Sequence, residues 1–193
     1  MNQDKKLYRR FLNGEDEALN EIMEKYKEEL VNYINKFIKD YHAAQDVSQE
    51  VFVYLLQHRE IYKFEYSFRT YLYTIAKSRM INYLKARKNI TFIEDNPNNI
   101  IIEIRNVEDE IIENDKSARI RKVIKKLKVE YQNVIYLVDL RGLSYSEVAM
   151  ILGKSVSQIK ASLHNARKKL KVLLEAELKR EEEHNEINGR IYK

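Results

Sequence analysis

Two serines carry a repeated spacing that has chemical meaning. Ser144 stands three residues before Glu147, and Ser155 stands three residues before Gln158. A serine hydroxyl at a helix start accepts from the backbone N–H three residues on, while the carboxylate or amide there accepts from the serine N–H. Both spacings therefore predict helix starts, and Gly153 with Lys154 between them supplies a left-handed stop and a turn. Two capped helices joined so closely form a helix-turn-helix. On the second helix, Ile159, Leu163, Ala166 and Leu170 fall within about 60° of one another at 100° per residue. Ser157, Ala161, His164, Asn165 and Lys168 lie opposite, flanked by Lys160 and Arg167. Hydrogen-bonding residues at a helix start followed by cations suit a helix that meets base edges first and phosphates second.

Other candidates sit upstream. Asp46 and Glu50 are four residues apart, so both carboxylates share a helix face with Gln49 beside them. A metal site is the rival reading of such a pair. No histidine or third carboxylate is expected to join it, because Asp40 and His42 fall before the helix predicted over about 44–57. Between Tyr62 and Tyr73 there are six aromatic residues, followed by Lys77, Arg79, Lys85, Arg87 and Lys88. Aromatics beside cations suit single-stranded nucleic acid, where bases stack and phosphates are neutralised. Core packing accounts for part of the same pattern, Phe68 above all.

The whole chain supports a nucleic-acid partner. Its 193 residues carry a formal net charge of +5, unevenly placed. Residues 116–171 hold 14 basic and 3 acidic side chains, whereas 89–115 hold 1 basic and 8 acidic. Four glycines, one proline and abundant Leu, Ile, Lys and Glu favour an all-α fold. Helices are predicted over residues 5–39 with a break at Asn13-Gly14, over about 44–57, over about 68–88, and from near Ile111 through Val138. The segment 89–110 contains Pro97 and reads as a linker, although its β-branched runs could pair as a small hairpin. The last residues, 176–193, read as a charged tail. Without cysteine there are no disulfides or thiolate metal sites. No signal core or membrane-length apolar run is present, so a cytoplasmic chain without membrane insertion is expected. A Gly-rich phosphate loop, a His-x-Glu pair and a dense carboxylate cluster are all missing, so no enzyme, cofactor or metal is expected.

The stretch AAQDVSQEVFVYLLQHREIYKFEYSFRTYLYTIAKSRMINYLKAR resembles region 2 of the extracytoplasmic-function (ECF) group of bacterial sigma factors. LRGLSYSEVAMILGKSVSQIKASLHNARKKLKVLL resembles their region 4, and LYRRFLNGEDEALNEIMEKYKEELVNYI is similar to their opening helices. The resemblance implies two small helical domains, 1–90 and 113–175, joined by an acidic linker at 91–112. It implies a subunit without chemistry of its own that binds core RNA polymerase and directs it to promoters. Asp46, Gln49 and Glu50 match the family's D-x-x-Q-E surface for the polymerase coiled coil. Tyr62, Lys63, Phe64 and Tyr66 fall on the loop that pockets a flipped −10 base. Arg69, Lys77, Arg79 and Lys85 fall on the helix that meets the melted strand. Ser155, Ser157, Gln158, Lys160, Ala161, His164, Asn165, Arg167 and Lys168 fall on the helix that enters duplex DNA at the −35 element. An anti-sigma protein is a further partner that many members have.

Departures from the family pattern are visible. Ser162 and Asn165 stand where members usually carry arginine, so a less cationic −35 surface is expected. Leu127-Lys128-Val129-Glu130 lacks the prolines often found there, and Tyr66 replaces a common glycine. The competing reading is a stand-alone helix-turn-helix regulator whose N-terminal half dimerises. Such a regulator has no need of the aromatic and basic stretch 61–88.

Overall fold

The computed structural model describes residues 3–87, 120 and 122–191, with side chains to residue 180. The predicted linker and the predicted helix start near Ile111 lie outside these residues. The described residues are helical with no strand among them. The chain divides into two compact units, Met1–Val107 with Ala149–Lys154, and Glu108–Val148 with Ser155–Lys193.

In the first unit, α1 (Gln3–Leu12), α2 (Asp16–Ile38), α3 (Tyr41–Gln57) and α4 (Phe68–Ala86) pack together, with α2 touching the other three. The α1–α2 break occurs at Gly14, whose φ of 90° is one that glycine adopts without cost. Ile22, Leu30, Ile34, Val47, Val51, Leu55, Leu72 and Ala76 are fully buried at helical spacing. Helix α3 begins three residues earlier than expected, because the Asp40 carboxylate accepts from the Ala43 N–H at 3.0 Å. Asp40 is a helix cap, and His42 lies inside the first turn. Ser67 caps α4 in the same way, accepting from the Thr70 N–H at 3.1 Å.

Near the end of α2, burial and the neighbouring Lys39 charge lower the Lys36 ammonium from 10.5 to about 7. At this group the folded state therefore holds fewer protons than the unfolded chain between those values, so its contribution to stability rises with pH from about 7 to about 10.5. The urea midpoint at pH 6, 7.5 and 9 should climb in the natural chain and climb less in Lys36→Met. Parallel profiles for the two proteins would rule out this residue as the source.

In the second unit, α5 (Val129–Val134) follows a non-helical break at 126–128 and runs directly into a π-helical stretch, Ile135–Leu140, so the helix predicted through Val138 is interrupted before α5 and wider at its end. The missing prolines leave this helix start intact. Val129 occupies the first helical position, where proline would be tolerated, and the Gln132 side-chain amide donates to the Leu127 carbonyl at 2.8 Å. Helix α7 (Val156–Ile191) packs on α5 and the π-helical stretch, burying Ile159, Leu163 and Ala166. It does not end near residue 175. The predicted tail continues the helix to Ile191, and Glu177 on it pairs with Lys126 at 2.7 Å and Lys122 at 3.2 Å.

Candidate nucleic-acid interface

Both serine boxes form. The Ser144 N–H donates to Glu147 Oε2 at 3.0 Å and the Glu147 N–H to Ser144 Oγ at 3.3 Å, which starts α6 (Tyr145–Leu152). The Ser155 N–H donates to Gln158 Oε1 at 2.8 Å and the Gln158 N–H to Ser155 Oγ at 3.2 Å, which starts α7. Between them Gly153 has φ 68°. Its N–H reaches the Met150 carbonyl at 3.3 Å, and the Lys154 N–H reaches Ala149 at 2.9 Å. This pair of bonds is the left-handed helix stop expected from the sequence.

The outer face of α7 is as the helical wheel requires. Ser157, Lys160, Ala161, His164, Asn165, Arg167 and Lys168 are all exposed. Tyr145, Lys160, Leu163, His164, Arg167, Lys168 and Lys171 line an open groove of about 620 Å³. Four of these are Lys or Arg, and Leu163 forms an apolar floor. Lys160 holds its ammonium 5.8 Å from the Tyr145 ring centre. Arg167 donates through Nε to Asp139 Oδ2 at 3.2 Å and through Nη2 to Oδ1, and these bonds raise the guanidinium pKa further above its ordinary value. The forked pair fixes Arg167 in the groove wall, so it is a positioned cation rather than a mobile one. Tyr145, Asp139 and Lys171 were not singled out from the sequence. Lys171 follows Lys168 by three residues and His164 by seven, a spacing that could have found it.

One residue of this helix differs from expectation. Ser162 does not face outward at all. It is 8% exposed and donates to Glu130, so a missing arginine there removes nothing from the groove. Gln158 is exposed, but its carbonyl oxygen is committed to the serine box.

In the first unit, Asp46, Gln49 and Glu50 are exposed along one stripe of α3, while Val47, Ser48 and Val51 turn inward. His42 joins the same stripe, four residues before Asp46, contrary to expectation. Among the described residues no cluster of His, Asp and Glu could hold a metal ion. Val53 and Leu56, 51% and 44% exposed, continue the stripe with apolar surface.

The loop 58–67 sorts its aromatics. Tyr62, placed by the resemblance on the −10 loop, is buried in this structure. Its ring stacks on Tyr71 with centroids 5.1 Å apart and meets Tyr8 edge-on at 5.1 Å, while its hydroxyl donates to the Tyr66 carbonyl at 2.7 Å. Burial and the nearby Tyr66 push the Tyr62 hydroxyl up to about 12. Phe64 and Tyr66 are half-buried, and Lys63 is exposed. On α4, Arg69 is drawn inward to Glu29, which also accepts from Tyr73 at 2.8 Å. Lys77 is half-buried and donates to the Leu152 carbonyl at 3.1 Å. The Arg79 guanidinium lies 4.8 Å from the Tyr54 ring centre, and Lys85 is exposed in the last turn. Lys63, Lys85 and Arg87 are exposed on this side, while Arg69 and Lys77 are drawn into the fold.

Comparison with known proteins agrees with the architecture. The family model described as Sigma-70 region 2 matches residues 22–90, and Sigma-70, region 4 matches residues 117–170. RNA polymerase sigma factor YlaC of Bacillus subtilis (strain 168) is 31% identical over 157 residues, spanning 80% of this chain and 91% of the relative. The ECF RNA polymerase sigma-E factor of Escherichia coli (strain K12) is 25% identical over 173 residues, spanning 85% and 90%. The solved structure of CnrH in complex with the cytosolic domain of CnrY shares the fold with a TM-score of 0.65. At 22% identity it covers 91% of this chain and 99% of that one. The sigma factor RpoE bound to the anti-sigma factor NepR from Bartonella quintana shares the fold with a TM-score of 0.61 at 17% identity, covering 81% and 96%. With matched family models for both halves and a relative aligned almost end to end, the chain belongs to the sigma-70 family of RNA polymerase sigma factors, in its extracytoplasmic-function group.

Proposed function

We propose that this chain is a promoter-specificity subunit of bacterial RNA polymerase, binding core enzyme through α3, duplex −35 DNA through α7, and the melted −10 strand through the loop 58–67. The observation that carries the reading is the groove on α7, where four cations and His164 line an exposed face of a doubly capped helix-turn-helix. Cations at that spacing meet phosphates, and the small exposed residues at the helix start leave room for base edges. Asp46, Gln49 and Glu50 offer the polymerase a compact polar surface. The subunit contributes recognition and strand capture, and the polymerase contributes the chemistry. The fold shared with RpoE bound to the anti-sigma factor NepR makes an anti-sigma protein partner part of the same proposal. The direct experiment is run-off transcription by core polymerase on a promoter library randomised at both elements. The chain should yield a defined pair of motifs, and core-dependent transcription of no sequence would overturn the reading.

Within α7, two kinds of residue should fail differently. Lys168→Ala should weaken every DNA sequence alike and lower the salt slope by about one unit per phosphate contact. His164→Ala should instead change the preferred −35 sequence, by about 1–3 kcal/mol where a base contact is lost. Gln158→Ala should do two things, because it also removes half of a helix cap worth ~1 kcal/mol. A binding selection over randomised duplex at two salt concentrations separates these effects. An unchanged preference in His164→Ala would remove that side chain from the reading surface.

A further inference from the structure

Helix α1 lies before the residues matched by the region 2 family model, yet it makes a concentrated set of contacts to the loop 58–67. The Lys5 ammonium donates to the Phe64 carbonyl at 2.9 Å. The Tyr8 hydroxyl donates to the Arg59 carbonyl at 2.6 Å, and its ring meets Phe64 edge-on at 6.0 Å. The Arg9 guanidinium sits 5.3 Å from the centre of the Phe64 ring. One turn of helix thus holds the loop at two backbone carbonyls and one side chain. The helix is itself anchored to α2 by the Lys25–Asp4 pair and by Arg10, which reaches Glu21 at 2.9 Å.

What the contacts hold is unusual. Phe64 has φ 61°, a left-handed conformation that a bulky aromatic residue adopts only when its surroundings impose it. Apart from Lys39 at the end of α2, it is the only non-glycine with positive φ among the described residues. Its surroundings are Lys5, Tyr8 and Arg9 of α1, with the Tyr62 ring 4.7 Å away on the loop itself. Without them, Phe64 would relax toward negative φ, and the chain after it would turn. That turn would re-aim the half-buried Phe64 and Tyr66 rings and shift Lys63 between Tyr62 and Phe64.

We infer that Lys5 and Tyr8 are positioning residues for recognition of the melted strand, bracing the loop in a strained geometry that aims its aromatic face. They touch no DNA in this scheme and act through the backbone at Arg59 and Phe64. The inference rests on the proposed role of the loop in reading single-stranded DNA.

The test uses the full chain with core polymerase and a pool of single-stranded DNA 12-mers randomised over six central positions. The natural chain should enrich a subset. Lys5→Met removes the donor with a good helix former on a partly exposed position, so the fold should hold. Enrichment should fall about 2- to 30-fold, the range for coupling carried through packed neighbours. Trypsin should also cut after Lys63 faster, while core binding and thermal melting stay as before. Tyr8→Phe keeps the buried ring, loses only the bond to Arg59, and should act in the same direction. Lys5→Arg should restore enrichment, because it restores a donor. If the natural chain enriches a subset and Lys5→Met enriches the same subset equally well, the brace is overturned and the single-strand reading stands. If the natural chain enriches nothing, the single-strand reading falls and the inference falls with it. A loss in Lys5→Met that Lys5→Arg does not repair would mean a structural effect and would also overturn it.

Discussion

Glu50→Lys should separate this chain from core RNA polymerase while leaving both units folded. Glu50 is exposed on α3 beside Gln49 and one turn from Asp46, and the helix is held by Val47, Val51 and Leu55 on its other side. Reversal therefore changes no buried contact. Against a complementary basic surface, it places like charges in apposition and should cost several kcal/mol, so that affinity falls by roughly a hundredfold or more. Asp46→Lys should act in the same direction. The apolar end of the stripe, Val53 and Leu56, gives the interface something to desolvate, which is where binding energy tends to concentrate. Leu56→Ala should therefore weaken binding without the strong salt dependence of the charge reversals. Competition against a labelled natural chain for core polymerase measures all three. Far-ultraviolet helicity and binding to duplex −35 DNA serve as controls. Full competition by Glu50→Lys would remove α3 from the polymerase contact.

The helix-turn-helix was legible almost atom by atom, because every determinant of it is local. Ser144 with Glu147, Gly153, and Ser155 with Gln158 act within a few residues, and each makes the bond its spacing predicts. The buried face of α7 was equally legible, and the same wheel could have placed Ser162. It stands 60° from Ile159 at 100° per residue, on the edge of the buried stripe. The Asp40 cap was available too, but it lacks a Glu or Gln three residues on, so it is a weaker signal than a full box. The length of α7 was misjudged because its last turns carry no apolar period. Their Lys, Glu, Leu and Ala have high helix propensity nonetheless, and Glu177 pairs with Lys126 and Lys122. The partition of the aromatic loop could not have come from spacing. Whether Tyr62 or Tyr66 is buried depends on where α1 docks, some fifty residues away in sequence, and Tyr8 decides it by filling the space under Tyr62.

That partition yields the second large effect. Tyr62→Ala should cost stability first and promoter opening only as a consequence. The ring is 2% exposed and sits among Tyr8, Phe64, Phe68 and Tyr71, with centroids between 4.7 and 5.4 Å away. Removing a buried aromatic ring from such a cluster costs about 3–5 kcal/mol. For a unit of this size that lowers the melting temperature by roughly 10 °C or more. Tyr62→Phe keeps the ring and loses the bond to the Tyr66 carbonyl, a loss of ~1 kcal/mol. Tyr66→Ala is the contrasting case. Its half-buried ring has solvent on one side and packs loosely, 6.1 Å from Tyr62 and 6.4 Å from Tyr71, so the fold should lose little. A base stacked on that ring is worth about 1–3 kcal/mol, so strand opening should fall roughly 5- to 150-fold with the duplex complex unchanged. Urea unfolding and permanganate footprinting on the same variants distinguish the two. A Tyr62→Ala chain that melts like the natural one yet fails to open DNA would mean that Tyr62 leaves its pocket to meet the base. The buried cluster would then be the resting state of the loop, and the recognition surface would have to be assigned to a rearranged one.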